Sequence, residues 1–530
     1  MKRIFSLFQQ LSEENLILLM TLLSILIAWR IIHIQHGWVN VDSLIYFESA
    51  RLFSISEWKQ GFSVFKWPLY SFLINVVHRL TQLSIQTSAQ ILDILFFAIT
   101  TFSFTTLIKI AGGNKLTIIC GTFLLLSSSY IVGSILPMLL RDQGFWASFL
   151  TSLIFFIQFY RERKLRYAIL WQVSAIIAML FRIEAITFLA CLPCLLLFQE
   201  EVSLKQRITD FFIINIIPIL TILLIIGALI TIPSVTLSDF GRLQEAITIF
   251  PRLVTDIAQS FTKKADIMGE QVLGYYFADY GLMGVILTLT GIITIKVIHI
   301  ITWPVIGIYI LSYINRCKHS VTLRVCPDTQ KIFYATVIIA IVNASVIIAQ
   351  VFVLSNRYII PIGFISLIFA AFGLTMLIQA IHTQSLKHFW QKIWFLIILL
   401  ILTLSLIKNI LPKRDGYNYE QEAVAYVKRL NIPIEKIFLV SPRSNYYIEA
   451  PYKDRCPDDW ICTLSAINNN SIYKYDYLLL NIDIDKNYPE IKKILDSKLP
   501  NYLLEKEFYG VNRKKKILFY MKNSAFERMS

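Results

Sequence analysis

Internal repeats and low-complexity tracts are absent from this 530-residue chain, apart from one short basic run at 513–516, so a solenoid or a long solvated tail is excluded. Cysteine is sparse at seven, and Cys456 and Cys462 have no further Cys or His neighbours at zinc-site spacing, which excludes a structural zinc site there. No glycine-rich phosphate loop occurs in 412–530, so a nucleotide site is not expected in that part. The first apolar run has no small-residue cleavage site behind it, and the expectation is a helix that is retained. Charge is thin: Asp, Glu, Lys and Arg make up 16% of residues, and the first 411 residues hold 19 carboxylates, most of them between apolar runs.

What is present in quantity is hydrocarbon. Hydrophobic residues make up 56% of the chain, the mean hydropathy is +0.61, and many runs approach the roughly 20 residues needed to cross a bilayer. The expected fold class is a polytopic α-helical membrane protein. Spans are expected at about 15–34, 86–110, 115–136, 143–160, 165–181, 184–199, 208–232, 281–315, 331–354, 357–380 and 390–411, eleven crossings in all. The run 281–315 is long enough for one span plus a re-entrant piece, or for two short spans turning near Trp303-Pro304; one net crossing keeps the basic connections on one side. Lys2 and Arg3, 161–166, Lys205 and Arg207, 316–331 and 387–392 supply those connections, which read as cytoplasmic. They hold much of the Lys and Arg excess behind the formal net charge of +15, so no nucleic-acid partner is expected.

With eleven crossings the C-terminus lies outside. Residues 412–530 then form an exterior domain after a membrane domain of 1–411. Its pattern predicts helices at 417–430, 444–449 and 489–499 and strands at 436–440, 477–481, 502–508 and 516–521, a small α/β layer fold. Cys456 and Cys462 are the disulfide candidate, because they alone fall where oxidation is permitted; Cys120, Cys191 and Cys194 sit in apolar runs, and Cys317 and Cys326 in a basic connection. A second non-spanning region, 233–279, is expected outside as short amphipathic helices on the membrane surface.

An ionisable side chain beside hydrocarbon costs free energy unless something uses or pairs it. On this topology the outer boundary gathers Asp42, Glu48, Glu57, Asp142 and Glu184 with Lys66, Arg141, Arg182 and Arg357, and the positive-inside bias does not explain these four cations. Carboxylates with several cations at an interface suit transfer from a lipid phosphate donor: the carboxylate deprotonates an acceptor hydroxyl and the cations stabilise the departing phosphate. The alternatives are local ion pairs, Arg141 with Asp142 or Arg182 with Glu184, and a plain helix-capping role for Asp42.

At these residues the sequence resembles polytopic glycosyltransferases of the GT-C type, in particular the branch shared by protein O-mannosyltransferases and aminoarabinose transferases of lipid A. The residues that carry the resemblance are Asp42, Tyr46, Ala50 and Lys66-Trp67-Pro68-Leu69-Tyr70 in the first loop, Asp142 in Leu140-Arg141-Asp142-Gln143, Arg182 and Glu184 in Phe181-Arg182-Ile183-Glu184-Ala185, and Arg357 and Tyr358 in Ser355-Asn356-Arg357-Tyr358-Ile359-Ile360-Pro361. It covers about 400 residues, in order. It implies Asp42 as catalytic base, Asp142 as a second acceptor-side or metal-binding carboxylate, and Lys66, Arg357 and Tyr358 as contacts to the donor phosphate, with Arg141, Arg182, Glu184 and Tyr70 in support. Two departures stand out: Val41-Asp42-Ser43 replaces the paired acids of many relatives, and Trp67 stands where a first proline is common.

The expected activity is therefore transfer of a sugar from a polyprenyl-phosphate donor to a lipid, glycan or protein acceptor at the outer face of a bacterial inner membrane. A divalent metal held by Asp42 and Asp142 remains open at this point. So do two rivals. A polymerase or ligase of polyprenyl-linked glycans would use the same donor; a transporter would show inverted halves with ionisable groups near the midplane, a symmetry this chain lacks.

Overall fold

The computed structural model describes residues 11–523 apart from 35–38, 233–235, 237–241, 317–324, 384–388, 412–417, 451–455, 457, 485–487 and 511–512. Lys2, Arg3, Cys317 and Lys387, used above to orient the spans or place the thiols, lie outside the described residues. The chain divides into two compact units: one comprises 1–30, 66–136 and 140–410, the other 31–65, 137–139 and 411–530.

The first unit is helical. Among the described residues six helices are long and apolar enough to cross a membrane, or eight if each of two bent pairs is one span. The six are Glu13–Ile34, Tyr275–Ile301, which opens with a short 3-10 turn, Ile85–Ile110, Pro327–Val351, Ile360–His382 and Phe389–Ile410. Their outward faces are hydrocarbon. The helix Ile216–Thr231 buries no residue, and Leu396, Leu400 and Leu404 project from Phe389–Ile410, as lipid-facing surfaces do.

Several expected spans are not single straight helices. The run 115–136 breaks after Ser127 and resumes as a π-turn at Ile131–Ile135, bent by 46°, and 208–232 bends by 57° at Asn215. The run 281–315 is two helices, Gly281–Ile301 and Trp303–Arg316, parted at Thr302, whose φ of 69° cannot continue a right-handed helix. The expected span 184–199 is a short α-helix, Ile186–Cys191, between 3-10 turns Ile183–Ala185 and Leu192–Phe198. This stretch is apolar but shorter than the six long helices. The short surface helices expected in 233–279 are instead dominated by one strongly amphipathic 26-residue helix, Arg242–Ile267.

Close approach within this unit depends on glycine. A Cβ on Gly121 would collide with Ile108, and one on Gly144 with the ring of Phe181. The second case matters for the site, because it lets Asp142–Glu162 and Leu165–Phe181 touch beside Asp142 and Arg182.

The second unit has a four-stranded sheet, β1 Ile437–Leu439, β2 Tyr477–Asp483, β3 Tyr502–Tyr509 and β4 Lys515–Lys522, in the order β1-β2-β4-β3. The β1–β2 pair is parallel and the others antiparallel. Alternate residues serve opposite faces. Leu479 and Phe519 pack with Tyr419, Val424 and Val427 of helix Asn418–Arg429, while Leu478, Leu480 and Leu518 pack with Ile467 and Leu495 of helices Asp459–Asn468 and Tyr488–Lys498. The expected strands and the three expected helices coincide with these to within about two residues. Helix Asp459–Asn468 is an addition to the expected elements. Cys456 and Cys462 form a disulfide.

Residues of the first loop belong to this same unit. Helix Val41–Ser54 lays Phe47 against Tyr446 with ring centroids 5.9 Å apart, and Arg443 Nε donates to the Val39 carbonyl at 3.0 Å. Arg443 is itself held by Glu420, a fully buried carboxylate that also accepts from Ser441 Oγ at 2.6 Å and Ser444 Oγ at 3.3 Å.

Candidate functional site

In the first unit, chain reversals bring the start of Asp142–Glu162, the end of Leu165–Phe181 and the start of Ile360–His382 to one end of the helices. The opposite end holds basic connections, where Lys109 pairs with Glu14, Arg163 Nε with Asp210 at 3.0 Å, and Arg161 reaches Thr329 Oγ1 at 2.7 Å.

Asp142 is the centre of the group. It opens its helix with no exposed surface, one oxygen accepting from Arg182 Nη1 and the other 3.6 Å from Arg357 Nη1. Arg182 also donates from Nε to Glu184 Oε2 at 3.3 Å and lies with its guanidinium carbon 4.7 Å from the centroid of the Tyr358 ring. Asp142 is thus paired across the helices with Arg182, and the Arg182–Glu184 pair is one edge of a larger network. Arg357 is 29% exposed, whereas Arg182 is almost fully buried. Burying such charges is tolerable only when they are paired and hydrogen-bonded, and here two guanidiniums and two carboxylates balance.

Three elements hold this group in place. Ser355 Oγ accepts from Arg357 N at 3.4 Å and starts the 3-10 turn Asn356–Tyr358, which aims Arg357 and Tyr358 ahead of the helix at Ile360. The Trp67 indole donates to the Met179 carbonyl at 3.0 Å, tying the segment Lys66–Tyr70 to the end of the Arg182-bearing helix. Tyr70 then donates to Asp93 Oδ1 at 2.7 Å, both side chains being buried.

Asp93, Tyr130 and Trp67 were not among the expected site residues. Asp93 is the sole carboxylate in the run 85–110, a signal visible in the sequence, and it lies close enough to Asp142 to feel its charge. Tyr130 stands within electrostatic reach of Asp142, Arg182 and Arg357 because the chain breaks just before it, at the serine run 127–129. Among the described residues, Asp93 Oδ2 and both amide atoms of the fully buried Gln143 find no hydrogen-bond partner in the protein, as happens where a polar ligand or solvent is received.

Lys66 is exposed at the edge of the first unit. Asp42 belongs to the second unit, partly buried in the first turn of Val41–Ser54. It is not the cap of that helix: the cap is Asn40, whose side chain accepts from Asp42 N at 2.9 Å. Glu48 is engaged by Arg51 at 2.7 Å.

A divalent metal does not fit the described residues. No group of three or more His, Cys, Asp or Glu gathers around one point, and both oxygens of Asp142 face guanidinium groups that would repel a cation.

No family model matches this chain, and no curated protein matches it.

Proposed function

We propose that the protein is a membrane glycosyltransferase of the GT-C type that moves a sugar from a polyprenyl-phosphate donor to a lipid, glycan or protein hydroxyl. The observation that carries this reading is the pair of guanidiniums organised by one buried carboxylate, with the outer of them, Arg357, partly exposed at a helix start. In this reading the six long spans, the two bent pairs and the helical segments 142–162, 165–181 and 183–198 make eleven crossings. The site end then faces the outside of a bacterial inner membrane, as does the chain after Ile410.

The chemistry follows from the charges. The bond between the sugar's anomeric carbon and the phosphate oxygen breaks, and the electron pair leaves with polyprenyl phosphate. Arg357, Lys66 and Tyr358 take up the negative charge that develops there. The acceptor oxygen bonds the anomeric carbon and its proton passes to Asp42. Asp142 has no surface from which to meet an acceptor, so its part is to orient Arg182 and Arg357, with Glu184, Arg141 and Tyr70 supporting them.

The test is transfer of radiolabelled sugar from a panel of polyprenyl-phosphate donors in membranes expressing the wild type, Asp42→Asn or Arg357→Ala, with and without chelator. Removing the base is expected to lower the rate on the order of 10²-fold or more, Arg357→Ala to lower it comparably, and chelator to leave the wild type active. Undiminished transfer by folded Asp42→Asn overturns the assignment of the base. A panel from which the wild type consumes no donor overturns the reading as a whole.

A further inference from the structure

The second unit contains a cavity of about 420 Å³, within the ~300–1,000 Å³ typical of small-molecule sites. Its polar wall is made by Arg443, Asp459, Asn481, Asp483 and Lys515, and Trp460 supplies an aromatic surface. We propose that this cavity binds a neutral saccharide and that the saccharide is the sugar portion of the acceptor; the second half of that statement rests on the transferase reading, the first does not.

The wall is built in advance of any ligand. Asn481 is fixed at both ends of its amide, donating to Asp459 Oδ2 at 2.8 Å and accepting from Tyr419 OH at 3.1 Å. Arg443 is clamped between Glu420 and the Val39 carbonyl. Asp483 and Lys515 face each other in register across β2 and β4. Trp460 packs on the core beneath, next to the loop closed by the Cys456–Cys462 disulfide. Little side-chain freedom is left to lose on binding.

The chemistry of the wall selects the ligand. A sugar ring presents an apolar C–H face, which an indole covers, and a rim of hydroxyls that both donate and accept, which carboxylate, amide and guanidinium groups satisfy. An anionic ligand is disfavoured. Asp458 also lines the cavity, so three carboxylates face two cations, and its side chain already accepts from Trp460 N and Ile461 N at the start of helix Asp459–Asn468, the place a phosphate would otherwise take. Burial raises the Asp459 carboxyl above its ordinary value against the Asn481 hydrogen bond, so this group is poorly solvated and gains from hydroxyl donors. Val41 lines the same cavity, one residue before Asp42. A saccharide held there has its hydroxyls delivered toward the start of that helix.

The full-length protein in detergent is titrated with glucose, galactose, mannose and N-acetylglucosamine, their disaccharides, and glucose 6-phosphate, read by saturation-transfer NMR. At least one neutral saccharide is expected to bind, with affinity reduced tenfold or more in both Trp460→Ala and Asp483→Asn, and with glucose 6-phosphate no tighter than glucose. Asp483→Asn removes no core packing, so its unfolding midpoint distinguishes a lost site from a lost fold. No binding by any saccharide, equal binding in both variants, or tenfold preference for the phosphorylated sugar overturns the site. Sugar binding that persists in Asp42→Asn while transfer is lost supports both halves; sugar binding with no transfer activity in the wild type overturns the acceptor assignment and leaves the saccharide site standing.

Discussion

Asp142 shows how one buried residue sets the character of its surroundings. Two cations lean on a carboxylate without exposed surface, so removing it takes the buried acceptor from Arg182 Nη1 and leaves Glu184 to balance the guanidinium. Asp142→Ala is expected to destabilise by about 3–5 kcal/mol, the range for breaking a buried pair on one side. Replacing both partners, as in Asp142→Leu with Arg182→Met, is expected to recover most of the unfolding midpoint while transfer stays depressed by at least about 10²-fold. Normal transfer by that double variant would make the pair purely structural. At this scale much was readable. Carboxylates and cations are rare enough near apolar runs that Asp142, Arg182, Glu184 and Arg357 stand out unaided, and Asp93 stands out by the same rule. The partner of each did not, because Arg182 lies 40 positions from Asp142, and Arg357 lies 215 positions away.

Secondary-structure elements bring these residues together by being irregular. The break after Ser127 delivers Tyr130, and the turn Asn356–Tyr358 delivers Arg357. Hydropathy reports how much hydrocarbon a run contains and keeps no record of where the backbone breaks. Gly144 is the sharpest case. Two residues after Asp142, it admits the ring of Phe181, which directly precedes Arg182. Gly144→Ala is expected to displace Phe181 and with it Arg182, lowering transfer tenfold or more with an unfolding midpoint reduced by the 1–3 kcal/mol typical of overpacking. A second substitution, Phe181→Leu, opens space at the same contact and is expected to restore part of the loss. Failure of the pair to recover anything would mean that the helix contact does not position Arg182.

On the scale of the whole molecule, the chain is cut into units that do not follow its order. Residues 31–65 belong with 411–530, joined by Arg443 to Val39 and Phe47 to Tyr446. A chain ending after Ile410 is therefore expected to leave helix Val41–Ser54 poorly held. Hydrogen exchange of its amides should rise tenfold or more relative to the intact protein, with little change in Ile85–Ile110, whose buried face packs within the first unit. Unchanged exchange at 41–54 would show that the loop keeps its structure without the C-terminal part.

By itself the sequence determined the hydrocarbon content of each run, the connections in which basic residues collect, the alternation of strands and helices after 411, and the rarity of charge that marks the candidate site residues. These are local properties, set by composition and by periods of two or 3.6 residues. Only the tertiary structure decided which charges neutralise each other, where helices break, that Asn40 and not Asp42 caps its helix, and that the first loop and the C-terminal strands form one unit with a polar cavity. Those outcomes depend on contacts between residues tens to hundreds of positions apart, where burial forces every polar group to find a partner and no local pattern records which one.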